Sequence, residues 1–411
     1  MEGVYLSLCN ELRVSVNAYI SQVLRETQNC GRGISLKLTG NERLKEVARL
    51  TDSDLLVLSK TLRNDLTVSA LDLRYNCISD DGARYLADLI QENMVLQSLD
   101  LMGNNIEVEG AERIAKSLHQ NVTLKRLRMT GNKIGNRGAM HFASMMQNNT
   151  ALEELDMSDC DLGTQSLIAF AIVLNTNKNV RSINISRPLL FSLQEETTVH
   201  MAQMLAVNQT LKELHMGKQG MTDSGVERLC EGLMSNHTLR YLDLRCNRIT
   251  RDGAKSLAEV LKQNNTLEIL DLSSNRIEDE GAICLSEAIA LTHCRLRALS
   301  IPSNNIGTAG LVSLTKAMGK NPHLTHIYIW GNRLEEPVCV AFSQLIARGT
   351  LLKEHTDVFP YEVDGHFYLA EVFHGLRRHY YWTPSIGEDG DTASNAALEL
   401  NPSHSLDLQP C

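Results

Sequence analysis

The segment Leu239–Ile277 contains one complete structural unit and the start of a second. Residues 239–249 are LRYLDLRCNRI, residues 250–266 are TRDGAKSLAEVLKQNNT, and residues 267–277 are LEILDLSSNRI. The same frame recurs along the chain in steps of 28 to 31 residues, with its marker position at Asn76, Asn104, Asn132, Cys160, Pro188, Gln219, Asn247, Asn275, Asn304 and Asn332. A fixed period of this length predicts an array of stacked repeats, a solenoid.

The sequence of one unit predicts a short strand followed by a helix. In a strand, Leu242 and Leu244 point to one side and Asp243 points to the other. The side chain of Asn247 can hydrogen-bond backbone groups of the turn, including those of a neighbouring unit. Residues 251–261 then carry apolar side chains at three- and four-residue spacing, which is typical of a helix. Because strands and helices differ in thickness, stacked units curve, with the parallel strands on the concave side.

A glycine follows six residues after the marker in most units. We expect it to let the helix lie close to the strand layer, because glycine has no side chain to keep them apart. These glycines are Gly82, Gly110, Gly138, Gly225, Gly253, Gly281 and Gly310.

The unit length of 28 to 29 residues and the G-A-x-x-L-A-x-x-L helix at Gly253–Leu261 resemble the ribonuclease-inhibitor type of leucine-rich repeat protein. The resemblance covers roughly residues 34–350. It implies an α/β fold: a leucine-rich repeat solenoid (horseshoe) with a concave parallel β-sheet and convex helices, like ribonuclease inhibitor. These motifs are highly specific for the fold and say almost nothing about the partner.

Four segments are predicted along the chain. Residues 1–65 form an N-terminal helical cap with an atypical first repeat, and 66–351 hold ten repeats of 28–31 residues. Residues 352–383 form an aromatic-rich hairpin and helical C-terminal cap, in which Asp364-Gly365 makes the tight turn. Residues 384–411 are small and polar, which predicts a disordered tail.

Composition narrows the range of functions. The 411-residue chain has a formal net charge of −9, which argues against nucleic acid as the main ligand. Its ten cysteines lack C-x-x-C spacing, so we expect reduced thiols in a cytoplasmic or nuclear protein. The family resemblance adds the ciliary axoneme as a further site, and the nucleolus is an alternative. No apolar run is long enough to span a membrane, and no membrane partner is predicted.

No motif for catalysis, metal binding or cofactor binding is present in the sequence. The metalloprotease, phosphate-loop and dinucleotide patterns are missing, and the histidines have no metal-ligand spacing. We therefore predict a non-enzymatic protein with no cofactor and no metal. Carboxylates recur at the middle strand position of several units, where arginines such as Arg74 and Arg245 can pair with them.

The concave strand face is the predicted partner-binding surface, because its side chains point away from the core. The two aromatic side chains Tyr328 and Trp330, bordered by charges, are typical of binding sites. Aromatic residues after the last repeat either cap the array or bind the partner. The predicted partner-binding residues are Asp72, Arg74, Asp100, Arg128, Asp156, Tyr241, Asp243, Arg245, Asp271, Tyr328, Trp330, Tyr380, Tyr381 and Trp382.

The function predicted from these features is a protein-interaction scaffold that is a monomer before it assembles with another protein. Family resemblance adds the setting of a structural subunit in a larger assembly such as the ciliary axoneme. Two alternatives stay open: a nuclear or nucleolar assembly or regulatory factor, and a small-GTPase activator of the same repeat family. The sequence does not name the partner.

Overall fold

A computed structural model describes residues 1–27, 31–41, 47–190 and 195–372. These residues form two compact units, the first ending at Leu189 and the second beginning at Leu190. The predicted contact residues Tyr380, Tyr381 and Trp382 lie outside the described residues, as does the predicted tail.

The first unit alternates helices with short parallel strands. Its strands pair in chain order from β1 to β6. The elements are α1 Glu2–Leu12, α2 Ala18–Glu26, β1 Ile34–Lys37, α3 Asp52–Leu62, β2 Val68–Asp72, α4 Asp80–Glu92, β3 Ser98–Asp100, α5 Val108–Leu118, β4 Arg126–Arg128, α6 Gly135–Met146, β5 Glu154–Asp156, α7 Thr164–Leu174 and β6 Ser182–Asn184.

The second unit repeats this alternation and ends in an antiparallel hairpin. Its parallel strands pair in order from β7 to β11, and β12 pairs with β13. The elements are α8 Glu196–Val207, β7 Glu213–His215, α9 Asp223–Ser235, β8 Tyr241–Asp243, α10 Arg251–Leu261, β9 Ile269–Asp271, α11 Glu278–Ile289, β10 Ala298–Ser300, α12 Thr308–Lys320, β11 His326–Tyr328, α13 Glu336–Ala347, a 3-10 helix Lys353–His355, β12 Val358–Val363 and β13 His366–Glu371.

The strand register confirms the predicted solenoid repeat in each unit. Equivalent residues lie side by side on neighbouring strands, so Leu71 pairs with Leu99 and Leu242 pairs with Leu270. These leucines are buried between the strands and the helices. The apolar positions of each helix, such as Ala254 and Leu257 on α10, close the same core from the other side.

The marker asparagines join each repeat to the one before it, as predicted. The amide nitrogen of Asn275 donates to the carbonyl of Leu244 (3.1 Å), and its oxygen accepts from the amide of Ile249 (3.1 Å). In the first unit, Asn104 makes the equivalent two bonds to the preceding repeat: it donates to the carbonyl of Leu73 and accepts from the amide of Ile78. At Cys160 the thiol donates to the carbonyl of Met129, which keeps half of this arrangement.

The glycines of the helices serve a different contact from the one predicted. A β-carbon added at Gly253 would lie 2.6 Å from Oδ1 of Asp223, on the preceding helix. At Gly281 it would lie 2.9 Å from the β-carbon of Ala254, again on the preceding helix. Glycine is therefore needed where neighbouring helices meet, rather than where a helix meets the strand layer.

An acidic residue in the first turn of one helix caps the start of the next. Oδ1 of Asp223 accepts from the amides of Thr250 (2.7 Å) and Gly253 (3.0 Å) at the beginning of α10. Asp52 binds the start of α4 in the same way. These contacts satisfy amides that a helix N-terminus leaves without partners, and they favour negative charge there.

The outer edge of β11 is covered by a carboxylate. The amide of Ile301 donates to the carbonyl of Tyr328 on the next strand, whereas the equivalent amide of Ile329 donates to Oδ1 of Asp357 (2.8 Å). The amide of Trp330 donates to Oδ2 of Asp357 (3.0 Å). Asp357 thus takes the place of the next strand's carbonyl. The cap of residues 352–383 stays a prediction, since residues 373–383 lie outside the described residues.

Candidate partner-binding surfaces

The strand face of the first unit carries five of the predicted partner-binding residues, and acidic and basic side chains alternate along the ion pairs that join them. We define this first-unit charge ladder as Asp72, Arg74, Asp100, Arg128 and Asp156. The register places Asp72, Asp100, Arg128 and Asp156 next to one another on β2 to β5. Their side chains are between 15% and 20% exposed, so each charge is accessible yet held by its neighbours.

Ion pairs connect the whole ladder. Nη2 of Arg74 lies 2.7 Å from Oδ2 of Asp72, and its Nε lies 3.6 Å from Oδ2 of Asp100. Nη1 of Arg128 lies 2.8 Å from Oδ2 of Asp100, and its Nε lies 3.5 Å from Oδ2 of Asp156. The arginines therefore offset the repulsion between Asp72 and Asp100, which confirms the predicted pairing at Arg74.

Burial and neighbouring charge act on this ladder together. Burial raises the pKa of Asp100, and repulsion by Asp72 adds to this, while Arg128 and Arg74 oppose it. Burial works against the charged form of Arg128, but Asp100 and Asp156 outweigh it and raise the pKa of this guanidinium. The result is a fixed alternating pattern that an oppositely patterned protein surface could recognise.

The second unit buries most of the strand positions that were predicted to be exposed. Asp243, Arg245 and Asp271 are at most 5% exposed. Asp271 accepts from the amide (3.0 Å) and hydroxyl (2.6 Å) of Ser273, so it is an internal hydrogen-bond acceptor. Tyr241 is half-buried. The prediction of a charged, accessible face is thus wrong for these three positions.

Tyr328 is also buried, contrary to the prediction. Its ring packs with Ile269 and Ala298 on the neighbouring strands, and Tyr241 lies against the same cluster. The side chain of Trp330 is half-buried, although its backbone amide is bound by Asp357. An outward strand position therefore does not guarantee exposure, because a large side chain can pack with side chains of the neighbouring strands.

His215 is a charged centre that the sequence did not reveal. Its Nε2 lies 3.5 Å from Oε2 of Glu213, and its Nδ1 lies 3.5 Å from Oδ2 of Asp243. Burial alone would lower the pKa of His215, but hydrogen bonds with Asp243 and Glu213 raise it to about 9. The ring also meets Tyr241 edge-on at 4.7 Å. His215 is thus a cation at neutral pH. Only the register of β7 and β8 brings Asp243 to it.

A metal site is not visible among the residues that the structure describes. No group of three or more histidine, cysteine or carboxylate side chains is close enough there to hold an ion. The buried thiols of Cys160 and Cys230 have their pKa raised by burial, which disfavours the thiolate needed for nucleophilic chemistry.

Comparison with known proteins places the chain in a family. A model described as Leucine Rich repeat matches residues 65–87, 92–115, 120–143, 148–171, 207–230, 235–258 and 263–286. Leucine-rich repeat-containing protein 34 from Homo sapiens is 58% identical over 403 residues, covering 97% of this chain and 87% of that protein. The chain belongs to the leucine-rich repeat-containing protein 34 family. Its Rattus norvegicus member is 57% identical, covering 98% of both chains.

A solved internalin from Listeria monocytogenes has a lower similarity to the chain. It is 15% identical, covers 77% of this chain and 90% of that chain, and has a TM-score of 0.41. These values are too low to transfer a function. Membership of a leucine-rich repeat family suggests a protein-interaction scaffold. Among the helices of the described ranges, none has the length and apolar character needed to cross a membrane.

Proposed function

We propose that the chain is a non-enzymatic scaffold that binds a protein partner through the first-unit charge ladder. The observation that carries this proposal is the fixed alternation of partly exposed acidic and basic side chains from Asp72 to Asp156. Ion pairs hold these side chains before any partner arrives, so little conformational entropy is lost on binding. Complementary charges on a partner would gain specificity from such a pattern.

A charge swap within the ladder tests this proposal. Asp72→Arg combined with Arg74→Asp keeps the net charge and the local pair but reverses the pattern at the end of the ladder. Pull-down or proximity labelling with the wild-type chain should recover a partner that the double variant loses. Arg63→Glu combined with Glu92→Arg, an exposed pair in the same unit, is the matched control and should retain the partner.

Thermal melts of both swapped chains separate lost binding from lost folding. If the ladder variant melts like the wild type and keeps every partner, this surface is not the binding site. If both swaps lose the same partners, the effect is one of general charge rather than of the ladder.

The proposed setting is a larger protein assembly, such as the ciliary axoneme, and it rests on family resemblance. Co-purification of the partner with axonemal, nuclear or nucleolar components separates this setting from the nuclear alternative. The small-GTPase activator alternative predicts faster GTP hydrolysis when the chain is added to a small GTPase. Our proposal predicts no change in that hydrolysis rate.

A further inference from the structure

The hairpin of the second unit has two unlike faces. Val358 and Leu369 lie on one face and are buried, and both strands of the hairpin contact helix α13. We define the hairpin face as the opposite one, formed by large apolar side chains that are each between 40% and 48% exposed. These are Phe359, Tyr361, Val363 and Tyr368. Four such side chains on a single hairpin form a small exposed apolar patch.

Two tyrosines form the centre of the hairpin face. Tyr361 and Tyr368 are directly paired across β12 and β13. Their rings stack, with centroids 5.5 Å apart and planes inclined by 25°. The face of an aromatic ring carries partial negative charge and attracts cations. This pair therefore offers a site for an ammonium or guanidinium group.

The surroundings of the hairpin face also favour a cation. Nζ of Lys353 lies 5.0 Å from the centroid of the Phe359 ring, so the chain already places one cation on this patch. Residues 353–371 contain no arginine and only this lysine. Among the exposed carboxylates in the same range, Glu354 precedes the hairpin and Asp364 lies in its turn, whereas Glu362 and Glu371 alternate to the opposite face.

The size and edges of the hairpin limit the kind of partner. Six-residue strands are about 20 Å long, and two strands, each about 5 Å wide, give a face of roughly 200 Å². A stable interface between globular proteins needs about 800 Å² on each side. A short linear segment fits this smaller area. Pro360 has no N–H, so β12 offers an incomplete row of donors for an added strand.

We propose that the hairpin face binds a short basic linear segment of a protein partner, with an arginine or lysine on the Tyr361–Tyr368 pair. This inference rests on the proposed scaffold function and adds the chemistry of the partner. Arg377 and Arg378 of the same chain are the competing occupant, because they follow β13 by only six and seven residues.

Fluorescence anisotropy on the full-length chain tests the proposal. The probe is labelled Gly-Arg-Gly-Arg-Gly-Arg-Gly, and the comparison peptide has glutamate in place of each arginine. The arginine peptide should bind and the glutamate peptide should not. Tyr361→Leu with Tyr368→Leu should weaken binding by about tenfold, because leucine keeps apolar area but has no ring. Tyr361→Phe with Tyr368→Phe should stay within about twofold of the wild type, because the ring alone attracts the cation.

Tyr85→Leu is the matched control for the hairpin variants. Tyr85 lies in the first unit, with the guanidinium of Arg84 4.9 Å from its ring centroid, and its loss should leave probe binding unchanged. Each variant is melted to show that it folds. Equal binding by the leucine double variant, or equal binding of the glutamate peptide, overturns the proposal.

Full-length Arg377→Gln with Arg378→Gln identifies the competing occupant. Unchanged probe affinity supports an external segment, whereas a tenfold gain means that the chain's own arginines cover the face and overturns the proposal. If the arginine peptide does not bind, but the Asp72→Arg, Arg74→Asp variant still loses a partner that the wild-type chain binds, only this inference is rejected. If the wild-type chain recovers no partner in the pull-down, the proposed scaffold function is rejected instead.

Discussion

The strand faces of the two units share one repeat frame but differ in what they expose. In the first unit, Asp100 and Arg128 stay partly exposed and pair along the ladder. In the second unit, the equivalent Asp271 and Tyr328 are fully buried. The frame fixes the core leucines and the backbone joints in both units. The side chains between the leucines decide whether a face can meet a partner.

The largest expected effect tests whether the two units have equivalent cores. Leu101→Asp in the first unit and Leu244→Asp in the second each place a charge in a fully buried position three residues before a marker asparagine. Each should lower the free energy of unfolding by about 4 kcal/mol, because the charge has no partner. Circular-dichroism melts measure this. Met94→Asp, at an exposed site, is the control. A wild-type melt for either variant would show that its unit does not use the predicted frame.

The next effect concerns the joints between repeats. Asn104→Ala and Asn275→Ala each leave a buried amide of the preceding repeat, Ile78 or Ile249, without its acceptor. Each also removes one of two side-chain donors to a buried carbonyl, since Leu73 keeps Asn76 and Leu244 keeps Asn247. We expect a loss of about 2 to 3 kcal/mol in each unit. Denaturant titration measures it, and Asn105→Ala, at an exposed position, is the control. A loss of stability in only one of the two variants would show that the joints made by Asn104 and Asn275 are not equivalent.

His215 should give the second unit a dependence on pH. Its folded pKa of about 9 lies above the ordinary value of 6.5. The stability it contributes is complete below pH 6.5 and is lost as the pH rises through 9. The contribution is on the order of 3 kcal/mol. Melts of the wild type and His215→Gln should therefore differ at pH 6 and converge above pH 9. His141→Gln in the first unit is the control. A difference that does not change with pH would contradict the assigned protonation.

The smallest effect tests the close contact between helices. Gly253→Ala should cost about 1 to 3 kcal/mol, since the new methyl group would lie 2.7 Å from Cγ2 of Ile249 as well as against Asp223. Gly82→Ala in the first unit meets Asp52 and Ile78 and should cost the same. Gly319→Ala is the matched control, because nothing lies within 4 Å of it, and it should stabilise by about 0.5 to 1 kcal/mol. If alanine at Gly82 and at Gly253 leaves the free energy of unfolding unchanged, the neighbouring helices can move apart without cost.

The sequence predicts the repeat fold well because burial follows its period. Leu242, Asn247 and the Asp364-Gly365 turn act through local geometry, and the structure has each as predicted. Both turn residues have positive φ, 51° at Asp364 and 83° at Gly365. A local rule suffices for such residues.

The candidate site was harder to predict because it depends on neighbours distant in the sequence. The buried Tyr328 packs in one cluster with Ala298 and Ile269, which lie 30 and 59 residues earlier in the sequence. The charge on His215 depends on the alignment of β7 with β8. Neither pairing follows from the period alone. The repeat pattern therefore predicts which side chains point away from the core, but not which of them are exposed to solvent.

The two-sided joints restrict how such a chain can change its length. Asp223 reaches forward to the next helix, and Asn275 reaches back to the preceding repeat. Removal of one whole repeat brings an equivalent carboxylate and an equivalent amide back together. A change in length that moves either residue away from its partners leaves a charge or several amides unpaired. The 29-residue step from Asn275 to Asn304 keeps both joints, because its extra residue lies between α11 and β10. Viable insertions and deletions within a unit should therefore be whole repeats or lie in loops that leave both joints in place.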